Sequence, residues 1–351
     1  MRLTGKGQIL PTSFSLCRRR LSAKSSKSFY LTLGLVVVFI FTLPLTYSHL
    51  SQTTRFRLLP PKADKLREVY MTLLCPPEPS SAINDIDFYF EATRILAYRL
   101  MHKPSTRDLN GRRHVILATE NVSPAQIQIL ESDGAIVKSV KAMPPPRGTN
   151  MSRVNKQWKN QYTKLTIWNM TEYTKVLYID ADILPVRPLS DVFNTRTVIG
   201  KNGEPYMFAA TYDSAWVRDF GKYSRPVPEL GPDDKTSSDA FNAGMFFVHP
   251  SHRQAEYIQS IYDNPIEGID FTIGMEQDLL RYAYRDSGDY PWVRLSQMYN
   301  TQWPRLADLE ASHAIHDKMW KDDSPVQWDL RWFWYVAWGE MMGWSNARGA
   351  S

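Results

Sequence analysis

The run KVLYIDADILPVRPLSDVF, Lys175 to Phe193, constrains the fold more than any other part of the chain. It opens as an unbroken apolar strand, Val176 to Ile179, of the kind that is buried on both faces. Such a strand needs packed layers above and below it, which points to an α/β domain with helices over a largely parallel sheet. Two carboxylates, Asp180 and Asp182, stand one residue apart where this strand should end. Burying an uncompensated charge costs several kcal/mol, so the pair needs a cation or open water. Ligands of parallel sheets collect beyond the carboxyl ends of the strands, which makes the pair a site candidate. A second pair, Asp85 and Asp87 in AINDIDFYF, begins a predicted helix, where capping accounts for it without a metal.

The flanking sequence repeats a strand-then-helix alternation. VYMTLL (69–74) reads as a buried strand and EATRILAYRLMH as the helix after it, with Ala92, Ile95, Leu96 and Leu100 at helical spacing. HVILAT (114–119) is the next strand, and SPAQ (123–126) opens a helix with a capping hydroxyl, a proline at the first position and an amide three residues on. The prolines of AMPPPRGTN mark a loop. Trp158, Tyr162, Leu165 and Trp168 then recur at helical intervals before the strand at Lys175. The aromatic tail WDLRWFWYVAWGEMMGW (328–344) is expected to be an amphipathic helix packed on the core.

Net charge is +6, which would raise nucleic acid as a partner, but its distribution argues otherwise. Residues 1–50 carry seven bases and no acid, so 35 of the 42 bases face all 36 acids in the remainder. The body is near neutral, and no nucleic-acid partner is expected. After the basic tail, FYLTLGLVVVFIFTLPLTY (29–47) is uncharged and long enough to span a bilayer. Its length and its aromatic, β-branched end favour an uncleaved anchor over a signal peptide. The expected layout is a cytosolic tail (1–28), a single span (29–47), a stem (48–68) and a luminal domain (69–351). Cys17 and Cys75 then lie on opposite sides of the membrane and cannot pair.

Hard divalent cations such as Mn²⁺ or Mg²⁺ bind through one or two carboxylates plus substrate phosphates, so a strand-end pair suggests a nucleotide diphosphate. The bland alternative is a solvated acidic loop. Signatures of serine hydrolases, zinc proteases, P-loop enzymes and thiol oxidoreductases are missing.

Lys164 to Phe193, KLTIWNMTEYTKVLYIDADILPVRPLSDVF, resembles the core of glycosyltransferase family 8, the glycogenin-like retaining transferases. FNAGMFFVHP (241–250), GMEQDLLR (274–281), MYNTQW (298–303) and SHAIHDKMW (312–320) resemble further family segments in the family's order. The resemblance spans roughly residues 69 to 320. It implies a GT-A-like fold and transfer of a sugar from a UDP-sugar with retention, to a glycan, glycoprotein or glycolipid acceptor. It implies that Asp180 and Asp182 hold Mn²⁺, with Mg²⁺ as the alternative, together with His316 or His313. Lys164, Lys318, Thr72, Leu73 and Ala181 would bind the nucleotide; Asn242, Ala243 and Gly244 would surround the donor sugar; Glu276 and Gln277 would assist catalysis. The sequence departs from the family's pattern in placing Thr272 where an acid is usual, with Asp270 nearby, and Glu276 where Asp is usual. The bland readings are a solvated helix charge for Lys164, a tight turn for Asn242 with Gly244, and a structural His316.

Three sequons occur, at Asn121, Asn150 and Asn169; Asn150, in the proline-rich loop, is the best acceptor in a luminal domain, with Asn121 behind it. The leading expectation is a Mn²⁺-dependent type II membrane glycosyltransferase of the Golgi. Its rivals are a membrane-anchored nucleotide-sugar-binding protein without turnover, and a metal-dependent nucleotidyltransferase that would release pyrophosphate.

Overall fold

The computed structural model describes residues 67–75, 86–150, 152–154, 158–213, 241–264, 266, 269, 271–321, 326 and 328–349. All of them fall in the second of two compact units, Pro61–Ser351. The expected tail, span and nearly all of the stem lie outside the described residues, as do Cys17, Asp85 and Asp270. Among the described residues no helix is long and apolar enough to cross a membrane.

Strands β1 (Glu68–Leu74), β2 (Arg113–Ala118), β3 (Ile136–Ser139) and β4 (Lys175–Ile179) lie parallel in the order β3-β2-β1-β4. Strand β1 is buried along its whole length, and β2 and β4 at every residue after the first, as continuous apolar runs require. Beyond β4 the chain forms β5 (Ile183–Pro185), the antiparallel pair β6 (Val198–Ile199) and β7 (Pro205–Tyr206), then β8 (Phe208–Tyr212), β9 (Phe241–Val248) and β10 (Val293–Arg294). The main sheet continues β4-β9-β8-β10, with β9 antiparallel to both β4 and β8. The sheet is therefore mostly parallel, and its one reversed strand has a purpose. Because β9 runs against β4, its beginning lies beside the carboxyl end of β4, with Met245 opposite Ile179.

A small second sheet joins β11 (Thr301–Gln302), β12 (Ala314–His316) and β5. In it β12 pairs antiparallel with β5, placing His316 opposite Ile183.

Helix α1 (Phe88–Met101) is capped by Asp87, whose carboxylate accepts from the Phe90 N–H. Helix α2 (Pro124–Ser132) begins with the full capping box of Ser123 and Gln126. Helices α3 (His252–Asp263), α4 (Glu276–Ala283) and α5 (Trp328–Gly349) follow. In α5 Leu330, Trp334, Ala337 and Met341 face the core, while Trp328 and Trp332 are 71% and 59% exposed.

One element differs from expectation. The segment read as an α-helix through Trp168 is a 3₁₀ run, Gln161–Asn169. Among its buried residues Tyr162, Leu165 and Trp168 stand three apart, the period of a 3₁₀ turn, whereas Trp158 is 39% exposed and takes no part. Trp168 anchors this run: its ring stacks 5.3 Å from Phe246 and 5.9 Å from Phe208. Its Nε1 donates to the Tyr284 hydroxyl at 2.7 Å, which donates in turn to Gln254 Oε1 at 2.9 Å. A buried ring of this size, with its N–H satisfied, pins the 3₁₀ run to β8, β9, α3 and α4.

Candidate functional site

The backbone brings the expected acids to one point from two strands. Asp180 follows β4, and its N–H continues the ladder to Gly244 O at 2.7 Å. Ile183 N closes a turn onto Asp180 O at 3.1 Å, so Asp182 sits at the start of β5. The pairing of β5 with β12 then delivers His316, and the Asp317 N–H to Asp182 O contact at 3.2 Å secures the corner. Asp180, Asp182 and His316 each offer one ligand atom, and these atoms lie within 4.8 Å of one another.

Each carboxylate also faces a lysine. Lys164, from the 3₁₀ run, is almost wholly enclosed and reaches Asp180 Oδ1 at 3.0 Å and Glu276 Oε1 at 2.8 Å. Burial disfavours its charge, but Asp180 and Glu276 outweigh that and raise its pKa. One lysine shared by two acids leaves the enclosed Glu276 carboxyl above its ordinary range, because burial raises it more than Lys164 lowers it. Tyr178 donates to Asp180 Oδ1 at 2.6 Å. Lys318, with 28% of its side chain exposed, donates to Asp182 Oδ2 at 2.8 Å. Burial alone would raise Asp182; the facing Lys318 ammonium, foremost among the opposing groups, holds it well below the ordinary value.

The donor set fits a divalent cation. His316 Nε2 lies 3.2 Å from Asp182 Oδ1, yet that oxygen is buried and has no aligned hydrogen-bond donor. An acceptor-only atom enclosed without a donor, beside a second carboxylate and an imidazole nitrogen, is the chemistry of a metal ligand. Gly244 makes room for it: a Cβ there would fall 2.5 Å from His316 Cε1 and 2.8 Å from Asn242 Oδ1.

The remaining expected residues are distributed as follows. Asn242 and Gly244 lie in β9 beside the cluster, and Asn242 Oδ1 accepts from Gly244 N at 2.9 Å. Ala243 N donates to Gln277 Oε1 at 2.8 Å, so Gln277 braces the beginning of β9. Glu276 starts α4 directly after Met275, whose φ of 53° turns the chain sharply before the helix. Thr272 is buried and accepts from Asn150 N at 3.3 Å. Thr72 and Leu73 are buried within β1; the Thr72 hydroxyl donates to Ile179 O at 2.9 Å and meets His114 Nε2 at 2.9 Å. Ala181 packs with the cluster beneath α5. His313 points away, its Nδ1 2.8 Å from Pro188 O and its ring 4.7 Å from Tyr299, so His316 is the histidine that joins the acids.

Two residues enter the site without an expected role. Tyr89, in the first turn of α1, stands edge-on to Trp320 at 5.4 Å. Burial pushes its phenol up to about 12, with Lys318 opposing and Asp182 and Asp180 adding to the rise. Asn300 bridges Asn242 and His316. MYNTQW was legible as a segment, but nothing in its local pattern marks Asn300 as a neighbour of the acids.

Comparison with known proteins agrees with this arrangement. The family model described as glycosyl transferase family 8 matches residues 87–319, which include the metal cluster, both lysines and α4. The chain is 30% identical over 306 residues to uncharacterized protein C4C3.09 of Schizosaccharomyces pombe, covering 80% of this chain and 79% of that one. It is 23% identical over 215 residues to glycogenin of Neurospora crassa, covering 61% of this chain and 25% of the relative. The crystal structure of galactosyltransferase LgtC in complex with donor and acceptor sugar analogs superposes with a TM-score of 0.51 at 15% identity, covering 78% of this chain and 95% of that one. That likeness establishes the GT-A-like fold. With the family model spanning both the sheet and the site it carries, the chain belongs to glycosyltransferase family 8 and is a glycosyltransferase.

Proposed function

We propose that the donor is a UDP-sugar, that Asp180, Asp182 and His316 hold Mn²⁺, and that the sugar passes with retention to a glycan, glycoprotein or glycolipid acceptor. The observation that carries this reading is the convergence of two carboxylates and one imidazole beyond the carboxyl end of β4, in a member of family 8. An imidazole nitrogen among the ligands favours Mn²⁺ over the harder Mg²⁺. When bound, the ion supplies positive charge where the diphosphate departs.

The chain's own residues prepare the rest. Lys318, whose side chain is partly exposed beside Asp182, is the cation that would meet the diphosphate. Charge placed there stabilises the breaking bond more than the intact donor, which is what accelerates a reaction. Lys164 and Tyr178 hold the Asp180 carboxylate from behind. Glu276 and Gln277 supply a carboxylate and an amide near the start of β9, the side on which an oxocarbenium-like sugar gains from negative potential. Gln277 is the more open of the two, since Glu276 is enclosed and paired with Lys164.

The basic tail followed by an apolar run of nineteen residues supports a single-pass type II anchor with a luminal catalytic domain in the Golgi.

The test is UDP release from a panel of UDP-sugars by the full chain with membrane acceptors, with Mn²⁺ or chelator, beside Asp182→Ala. Release from one sugar that disappears with chelator and in the variant is the expected outcome. Mn²⁺-dependent UDP binding with no release from any sugar would instead indicate a binding protein, and pyrophosphate release would indicate a nucleotidyltransferase.

A further inference from the structure

His316 has two ring nitrogens, and only one of them can serve the metal cluster. Which nitrogen keeps its hydrogen is decided by what the other one meets. The contacts around it form a chain whose direction is fixed at one end. Gly244 N–H is a backbone donor and can be nothing else; its partner, 2.9 Å away, is the Asn242 side chain, which must therefore present its oxygen. That same Asn242 Oδ1 is 3.0 Å from the Asn300 side chain, so Asn300 must present its NH₂ there. The Asn300 amide then has only its oxygen left to turn to His316, and the contact at 3.0 Å is with Nδ1. An acceptor facing Nδ1 requires a hydrogen on Nδ1. In the neutral ring, Nε2 is then bare and faces Asp182 Oδ1 at 3.2 Å, the oxygen that lacks a donor.

The chain is also held mechanically. Asn300 is fully buried, and the Gly244 carbonyl takes the Asp180 N–H at 2.7 Å. The residue whose N–H directs His316 through two asparagines therefore also takes, with its carbonyl, the N–H of the first acid. A methyl group on the Gly244 Cα would fall 2.5 Å from His316 Cε1, so only glycine at this position lets the ring take its place.

We propose that Asn300 is a positioning residue which, relaying the direction of the Gly244 N–H through Asn242, holds His316 in the tautomer with hydrogen on Nδ1 and presents a bare Nε2 to Asp180 and Asp182. Its consequence for catalysis rests on the metal reading above; its own observable, the tautomer, does not.

The test has two arms on the full chain. In the first, histidine-labelled protein without added metal is studied by ¹⁵N NMR at a pH where its imidazoles are neutral, with His316→Ala identifying the resonance. Wild type shows Nδ1 protonated and Nε2 bare; Asn300→Ala, which removes the acceptor, moves His316 toward hydrogen on Nε2. Asn300→Asp gives up the N–H donated to Asn242 Oδ1 but keeps a carboxylate oxygen facing Nδ1, and it retains the hydrogen on Nδ1. In the second arm, Mn²⁺ affinity is measured by electron paramagnetic resonance counting of free ion. Removing an outer partner of a ligating histidine costs about 10–100-fold in affinity, and Asn300→Ala is expected in that range while Asn300→Asp stays within a few-fold of wild type. Wild type with hydrogen on Nε2, an unchanged tautomer in Asn300→Ala, or a lost one in a folded Asn300→Asp each overturns the proposal. If wild type has the expected tautomer but binds no Mn²⁺, the metal reading fails and the relay stands.

Discussion

Lys164 is the only cation that touches both Asp180 and Glu276 among the described residues, and it does so with 3% of its side chain exposed. Removing one member of a buried charge group leaves the others uncompensated, which costs far more than the pair itself contributes. Lys164→Met is therefore expected to lower unfolding free energy by about 3–5 kcal/mol in denaturant titrations, and Lys164→Met with Glu276→Gln to recover part of that. A loss below about 0.5 kcal/mol, the range of ordinary surface changes, would show the lysine to be solvated after all. The acids were legible because an apolar strand cannot absorb them: Asp180 and Asp182 break the pattern of KVLYI with no helix to cap. Lys164 was legible as a candidate, yet its burial was not, since a lysine beside Leu165 and Tyr162 reads equally as a helix charge. Asn300 was legible only as a member of the family-like segment MYNTQW, with no role attached to it. Its importance comes from what stands opposite it, Asn242 from β9 and His316 from β12, and both pairings are tertiary.

At the scale of elements, strands and caps followed local chemistry. The strands β1, β2 and β4 are continuous apolar runs, and Asp87 and Ser123 cap their helices as their side chains dictate. The direction of β9 was not legible, because FNAGMFFV reads the same in a parallel or an antiparallel place; only its neighbours decide, and its reversal is what sets Asn242 and Gly244 beside Asp180. The 3₁₀ run was half legible: the spacing of Tyr162, Leu165 and Trp168 was visible, but three apolar residues spaced by three also suit an α-helix. Helix α5 offers a test of this scale. Trp334 is 2% exposed and packs 5.3 Å from Trp320, two residues after Lys318, whereas Trp332 faces outward. Trp334→Ala is expected to cost about 3–5 kcal/mol by chemical denaturation and Trp332→Ala no more than about 0.5 kcal/mol. Equal costs would contradict the orientation of the helix.

At the scale of the whole molecule, the proposed type II anchor predicts that the near-neutral body is luminal. A luminal domain meets the glycosylation machinery, and its sequons differ in availability. Asn150 is exposed in its loop, while the side-chain oxygen of Asn169 is engaged with His252 Nδ1 at 2.9 Å. In cells, the full chain is expected to lose mass on glycosidase treatment, and Asn150→Gln to remove the largest part of that shift; a chain of unmodified mass would contradict a luminal domain. The central claim concerns the point where Asp180, Asp182 and His316 meet. It is tested most directly by calorimetric titration of UDP into the wild-type chain and Asp182→Asn, each with Mn²⁺ and with chelator. The account expects UDP binding that requires Mn²⁺ in the wild type and is lost in the variant under both conditions. UDP binding of equal strength with chelator, or undiminished in Asp182→Asn, would contradict it.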